Sequence, residues 1–98
     1  MPRDELRALL QQESVRLGEF TLKSGATSNF YIDCRLTALH ARGAVLIGQV
    51  LYPLILEKAQ SLNVAPRAIG GLTMGADPVS VSIAMRSALS EDGPLLHA

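Results

Sequence analysis

Cysteine is almost missing from this chain: Cys34 is the single one among 98 residues. One thiol excludes an intramolecular disulfide and a cysteine-built zinc cluster. Its expected role is that of a small, buried, apolar side chain at a strand end. Aromatics are scarce too. With no Trp, two Phe and two Tyr, a core drawn from 48% hydrophobic residues must rest on Leu, Val, Ile and Ala. Neither sign of charge is in excess, since nine Lys and Arg offset nine Asp and Glu. No basic stripe stands out, which argues against nucleic acid as the main partner, because phosphate-backbone binding needs clustered cations. The two histidines, His40 and His97, are too far apart in the chain to suggest a metal pair, and His40 reads as a capping or solvated residue in a first helical turn. Long hydrophobic runs are also absent. Residues 44–56 are the richest stretch, but Gly48, Gln49 and Pro53 break it and it is too short to cross a bilayer. The polar start Met1–Glu5 is followed by no apolar run, so no signal peptide is expected, and a soluble cytoplasmic protein is the default. The length allows at most one small domain. Such a chain buries only about 60–65% of its unfolded surface.

What is present concentrates between Phe20 and Asp33. Both Phe residues and one of the two Tyr residues lie there, in two runs that read as strands, Phe20–Leu22 and Asn29–Ile32. Between them Lys23–Ser28 is small, polar and turn-forming. A lysine beside a Ser/Gly turn, followed by two aromatics in a row, can meet an anion on one side and a flat ring on the other. Taken as a pattern alone, a ribbon with aromatics is most often a piece of ordinary core.

Helical and turn signals fill the remainder. Asp4 can cap a helix whose Leu6, Leu9, Leu10 and Leu17 share one face and which Gly18 ends. After Arg35–Ala38 a longer helix is expected over Leu39–Gln60, with a wide apolar face that includes Val45 and Leu54, buried on two sides. Pro53 should kink or divide it. Gly48 either permits close packing or weakens the helix by about 1 kcal/mol relative to Ala. Asn63–Pro66 reads as a loop and Arg67–Ile69 as a short strand. Gly70–Pro78 then forms a glycine-rich turn feeding a helix over Pro78–Leu89, with Asp77 as N-cap and Pro78 first in the helix. Strand, glycine turn and helix start together place backbone N–H groups around an anion. The spacing is neither a Walker loop nor a dinucleotide fingerprint. Ser90–Pro94 reads as a turn and Leu95–Ala98 as a strand opening. This order gives an α/β fold with a parallel sheet, left open-edged, as in the front part of a larger fold.

Two phrases carry more than pattern. GEFTLKSG, residues 18–25, followed by Ser28-Asn29-Phe30-Tyr31-Ile32-Asp33, resembles the N-terminal signature of orotate phosphoribosyltransferases. IGGLTMGADP, residues 69–78, is similar to the strand–loop–helix that one branch of the family writes GGLTxGADP. The likeness runs over nearly the whole chain. It implies the N-terminal part of a type I phosphoribosyltransferase fold, a Rossmann-like parallel sheet with a small N-terminal hood. Residues 1–37 would be helix and hood ribbon, and residues 38–98 the first part of the core. The implied activity is a magnesium-dependent glycosyltransfer, in which orotate displaces pyrophosphate from 5-phosphoribosyl-1-pyrophosphate to give orotidine 5′-monophosphate for pyrimidine synthesis. Homodimers that share active sites are the usual assembly.

The resemblance also implies site residues. Lys23 corresponds to a ribbon lysine that meets the phosphoribosyl pyrophosphate, as lysines do at phosphates. Tyr31 and Ile32 stand where the family contacts orotate, with an aromatic pair in some members, so Ile32 keeps apolar contact without a second ring. Phe30 beside them would pack in the hood. Met74 and Gly75 stand where the glycine loop touches pyrophosphate through its main chain; many members carry a lysine at the position of Gly75. Magnesium would come mainly through the donor substrate. The family continues past an LLHA-like strand opening into a basic arm, R-K-x-x-K-x-H-G, and then an acidic loop that seats the ribose and 5′-phosphate. Neither is among these 98 residues, so a truncated chain without transferase activity of its own is expected. A non-catalytic dimerising or anion-binding module derived from the same fold is the alternative.

Overall fold

A computed structural model describes residues 1–90 and 93–98 of the chain. Helix α1 covers Pro2–Glu13, with Pro2 at its start and Asp4 and Glu5 in the first turn, where carboxylates suit the helix dipole. Met1, and not Asp4, holds the N-cap position. The helix also stops earlier than the sequence suggests. Ser14 is its C-cap, donating its N–H to the Leu10 carbonyl, and the next residue already belongs to a strand.

That strand, β1 (Val15–Thr21), pairs antiparallel with β2 (Thr27–Ile32). Val15 faces Ile32 at the foot of the ribbon and Thr21 faces Thr27 near its tip, so the strands are longer than the aromatic runs alone indicate. A bulge lies between Leu17 and Phe20, where Gly18 takes φ 148°, a value suited to glycine. Gly18 therefore bends a strand instead of closing a helix. Leu17 sits on the ribbon at 84% exposure and has no place on the α1 face.

The short helix α2 (Arg35–Ala38) follows, and then α3 (Ala41–Leu62). His40 caps α3 through Nδ1, which accepts from the Arg42 and Gly43 amides at 3.2 and 3.4 Å. Asn63, left-handed at φ 55°, closes it. Pro53 lies inside α3 and the helix runs through undivided. Cys34 is exposed, contrary to its expected burial: it stands at the N-cap of α2, its carbonyl accepting from Thr37 and Ala38, where the chain turns over the surface.

Helix α4 (Asp77–Leu89) lies against α3. Its N-cap is Ala76, so Asp77 belongs to the first turn. Ala76 already donates to the Leu72 carbonyl, and the Asp77 carboxylate takes the Thr73 hydroxyl at 3.4 Å and no helix amide. The core gathers Tyr52, Ile83 and Leu96 with Leu51, Ile55, Leu56, Ile69 and Val79 around them. Tyr52 donates its hydroxyl to the Pro94 carbonyl at 2.8 Å. The buried Ser87 hydroxyl accepts from the Leu96 amide at 2.9 Å, tying the last residues to α4. Helix α3 packs on α4, α1 and α2, yet Val45 and Leu54 remain half exposed, so its apolar face is less fully covered than expected. Of the expected parallel sheet the described residues form one bridge, Ala68 to His97, with Ile69 donating to His97 and His97 to Arg67. The Ser90–Pro94 turn includes Glu91 and Asp92, which lie outside the described residues.

At Gly48 the backbone of α3 lies close against α4. A Cβ there would lie 2.7 Å from the Ser82 carbonyl oxygen and 2.9 Å from the Arg86 Cβ. The close-packing role is therefore the one it plays. In Gly48→Ala the gain in helix propensity, about 1 kcal/mol, is outweighed by overpacking of about 1–3 kcal/mol. Urea denaturation should show a lower midpoint for this variant, and an equal or higher midpoint would contradict the packing account.

Candidate functional site

The ribbon tip is built by a compact turn. Leu22 donates to the Ala26 carbonyl at 2.8 Å and Gly25 to the Leu22 carbonyl at 2.9 Å, with Gly25 at φ 88°. Only a residue without Cβ takes that φ readily, which leaves Lys23 and Ser24 projecting at the bend. Lys23 is exposed, and no carboxylate among the described residues pairs with it. Its ammonium is available to an anion from solution.

Along β2, Tyr31 packs against Phe20 with ring centroids 5.8 Å apart and planes at 37°. It keeps 44% of its surface exposed, so part of the ring is open to a ligand. Ile32 is 50% exposed. Consecutive strand residues point to opposite faces, so Tyr31 and Ile32 do not line one wall of the ribbon. Phe30, expected to pack, is half exposed opposite Leu17.

The second group of candidate residues lies between Gly70 and Ala76. Met74 is 78% exposed and Gly75 is exposed beside it. The Thr73–Met74 peptide is cis. Gly71 is required sterically, since a Cβ would sit 2.7 Å from that of Ala76. Among the described residues no acceptor serves the amides of residues 70–75; the first internal bonds run from Ala76 to Leu72 and from Asp77 to Met74. Unpaired N–H groups beside the start of α4 are what an anion site at a helix N-terminus requires. The glycines here do not use positive φ, which among the glycines of this chain occurs at Gly18 and Gly25.

The candidates thus form two open groups, Lys23, Tyr31 and Ile32 on the ribbon, Met74 and Gly75 on the loop. No hydrogen bond, ion pair or ring contact among the described residues joins one group to the other. Nor do the described residues gather three or more His, Cys, Asp or Glu into a cluster able to hold a metal.

The sequence pattern does not single out Asp33 and Arg35, which the structure joins at the foot of the ribbon. Arg35 Nε donates to Asp33 Oδ1 at 2.9 Å and Nη2 to Oδ2 at 2.8 Å, and both residues line a shallow concavity with Leu36, Leu39 and His40. The one readable signal is the two-residue spacing of opposite charges beside the aromatic run. The guanidinium hydrogen bonds hold the Asp33 carboxyl below its usual range and raise Arg35. A depressed carboxylate contributes stability above its unfolded pKa and loses it as pH falls through the folded value. Arg35 stays charged throughout that window. A carbon-detected NMR titration should find Asp33 below the ordinary aspartate range, and Arg35→Gln should move it back up; an unmoved midpoint in the variant would contradict the pairing.

No protein-family profile matches the chain. Individual relatives do. An orotate phosphoribosyltransferase of Rhodopirellula baltica is 46% identical over 78 residues, which is 80% of this chain and 40% of that protein. One from Thermosynechococcus vestitus is 44% identical over 88 residues, 90% of this chain and 43% of that protein. Among solved structures, Mycobacterium tuberculosis H37Rv orotate phosphoribosyltransferase in complex with Fe(III) dicitrate aligns with TM-score 0.70 at 38% identity, covering 86% of this chain and 46% of that one. A phosphoribosyltransferase from Corynebacterium diphtheriae aligns with TM-score 0.68 at 35% identity, covering 99% and 48%. The chain spans about two fifths of the length of the curated relatives it matches. The α/β fold inferred from the two phrases is that of these neighbours over the part spanned. By sequence and by fold, the chain is similar to orotate phosphoribosyltransferases over the part of their length that it spans.

Proposed function

We propose that this chain supplies part of the active site of an orotate phosphoribosyltransferase, with residues 1–37 as a hood and residues 38–98 as the first part of the core. The reaction transfers the phosphoribosyl group of 5-phosphoribosyl-1-pyrophosphate to orotate, forming orotidine 5′-monophosphate and releasing pyrophosphate. The similarity to orotate phosphoribosyltransferases and the two open groups support this reading together. Of the structural observations, the unpaired amides of residues 70–75 carry it furthest, because they present several donors to one leaving group.

In this reading Lys23 attracts the pyrophosphate charge, and the backbone around Met74 and Gly75 binds the same group through N–H donors. Both interactions grow as pyrophosphate leaves and its charge develops, which is what favours the transition state over the bound substrate. Orotate stacks on the open face of Tyr31; Ile32, whose side chain points to the other face of β2, would meet it through its main chain alone. The described residues offer no metal cluster. Magnesium, the family's cofactor, does not fit a seat on these residues alone and would arrive with the donor's phosphates. A homodimer sharing its sites, working in the cytoplasm, completes the proposal; no helix among the described residues is long and apolar enough to cross a membrane.

A non-catalytic pairing module is favoured by one observation, the exposed Leu17 and Phe30 facing each other across the ribbon. A well-dispersed monomer at high concentration would count against it.

The 98 residues alone should form no orotidine 5′-monophosphate from orotate, donor and magnesium, and turnover would overturn that expectation. Calorimetry should detect orotate binding that Tyr31→Ala weakens roughly three- to tenfold, the worth of one ring contact. Lys23→Ala should spare orotate and weaken pyrophosphate roughly tenfold or more, as for a charged hydrogen bond. Equal affinities in wild type and both variants would contradict the assigned roles.

A further inference from the structure

The ribbon touches no helix except α1, yet everything it carries must be aimed at the core. Its two strands meet the rest of the chain at a single place. β1 starts immediately after Ser14, β2 ends immediately before Asp33, and the Asp33 amide donates to the Ser14 carbonyl at 3.0 Å. The Ser14 hydroxyl in turn shares a hydrogen bond of 2.5 Å with the Thr37 hydroxyl, and both side chains are 0% exposed. Thr37 belongs to α2, and its carbonyl is pressed against Gly43 so closely that any Cβ there would collide with it. A chain of contacts therefore runs from the foot of the ribbon through Ser14 and Thr37 to the first turn of α3.

We infer that the Ser14–Thr37 hydroxyl pair is a positioning device: it fixes the direction of the ribbon and, resting on the proposed function, the placing of Lys23 and Tyr31 for catalysis. Neither residue touches substrate. The physical reason lies in leverage and burial. A tip about 20 Å from its base moves by roughly 3–4 Å for a tilt of about 10°, and misplacement by about 1 Å can cost about a hundredfold in rate. A hydroxyl pair sealed from water resists such tilting, because separating the two leaves both unsatisfied. Helix α1 also packs on α3, and the Arg42 to Glu5 pair between them, at 2.9 Å, is solvent-exposed on both sides and contributes little; the hydroxyl pair adds a buried tie at the foot of the ribbon itself.

The test uses the whole 98-residue chain carrying Ser24→Cys and Lys58→Cys for paired spin labels, with Cys34→Ser to remove the exposed native thiol. Pulsed electron resonance reads the distance from ribbon tip to α3, while hydrogen exchange of α3 and α4 reports on the core. Thr37→Val should lose the single narrow distance peak with α3 and α4 protection unchanged, and Thr37→Ser should restore it. Ser14→Ala repeats the test should Thr37→Val fail to fold. An unchanged peak in both variants, or loss of core protection together with the peak in both, overturns the inference. Orotate titration of the same proteins separates the two claims. A wild type that binds no orotate overturns the proposed function while the label distances still decide the hinge; a displaced ribbon with undiminished orotate binding overturns the positioning role.

Discussion

The close approach of α3 and α4 at Gly48 is the constraint on which the rest of this structure depends. Because the Ser82 carbonyl lies where a side chain would otherwise be, the two helix backbones pack more tightly than any larger residue would allow. Around that contact Tyr52, Ile83 and Leu96 bury together, and Leu96 is held by Ser87 of α4. The start of α4 is thereby fixed relative to α3, and with it the glycine loop of residues 70–75. In a chain this small, with a core built on few large side chains, one backbone contact of this kind orders much of the molecule.

Two parts of the chain stand out from that core, and both are open for chemical reasons. The loop amides lack acceptors among the described residues, which is tolerable where water reaches them and useful where an anion replaces that water. The ribbon projects a lysine and a partly covered tyrosine, held by its foot at Ser14, Asp33 and Thr37. Neither part alone is specific: a lysine at a bend and a glycine loop before a helix occur in many folds. Their conjunction in one chain, with the sequence kinship to orotate phosphoribosyltransferases, is what turns two weak anion sites into a reading of function.

Much of this is legible in the amino-acid sequence. The ribbon, the long apolar α3, the helix after Asp77 and the capping role of His40 follow from periodicity, turn chemistry and first-turn residues. The sequence misleads where one residue type serves two purposes. Gly18 carries the signature of a helix C-cap but is used for a strand bulge, so α1 ends at Glu13 and Leu17 becomes an exposed ribbon residue. Asp77 carries the signature of an N-cap but takes the Thr73 hydroxyl instead. Cys34 is small and apolar, yet the turn from β2 into α2 runs over the surface. The Ser14–Thr37 pair is not legible, because two ordinary hydroxyls 23 residues apart show no pattern until the fold brings them together. The two short strands read at residues 67–69 and 95–98 do meet in parallel, and how far their pairing extends, one bridge among the described residues, is not something periodicity states.

The central claim is that the ribbon tip and the glycine loop serve one phosphate-bearing ligand. The most direct measurement is an amide NMR titration of the chain with inorganic pyrophosphate. The signals of residues 23–25 and of residues 73–77 should move together along one binding curve with a single dissociation constant. Movement of one group without the other, or two separate curves, would contradict the claim.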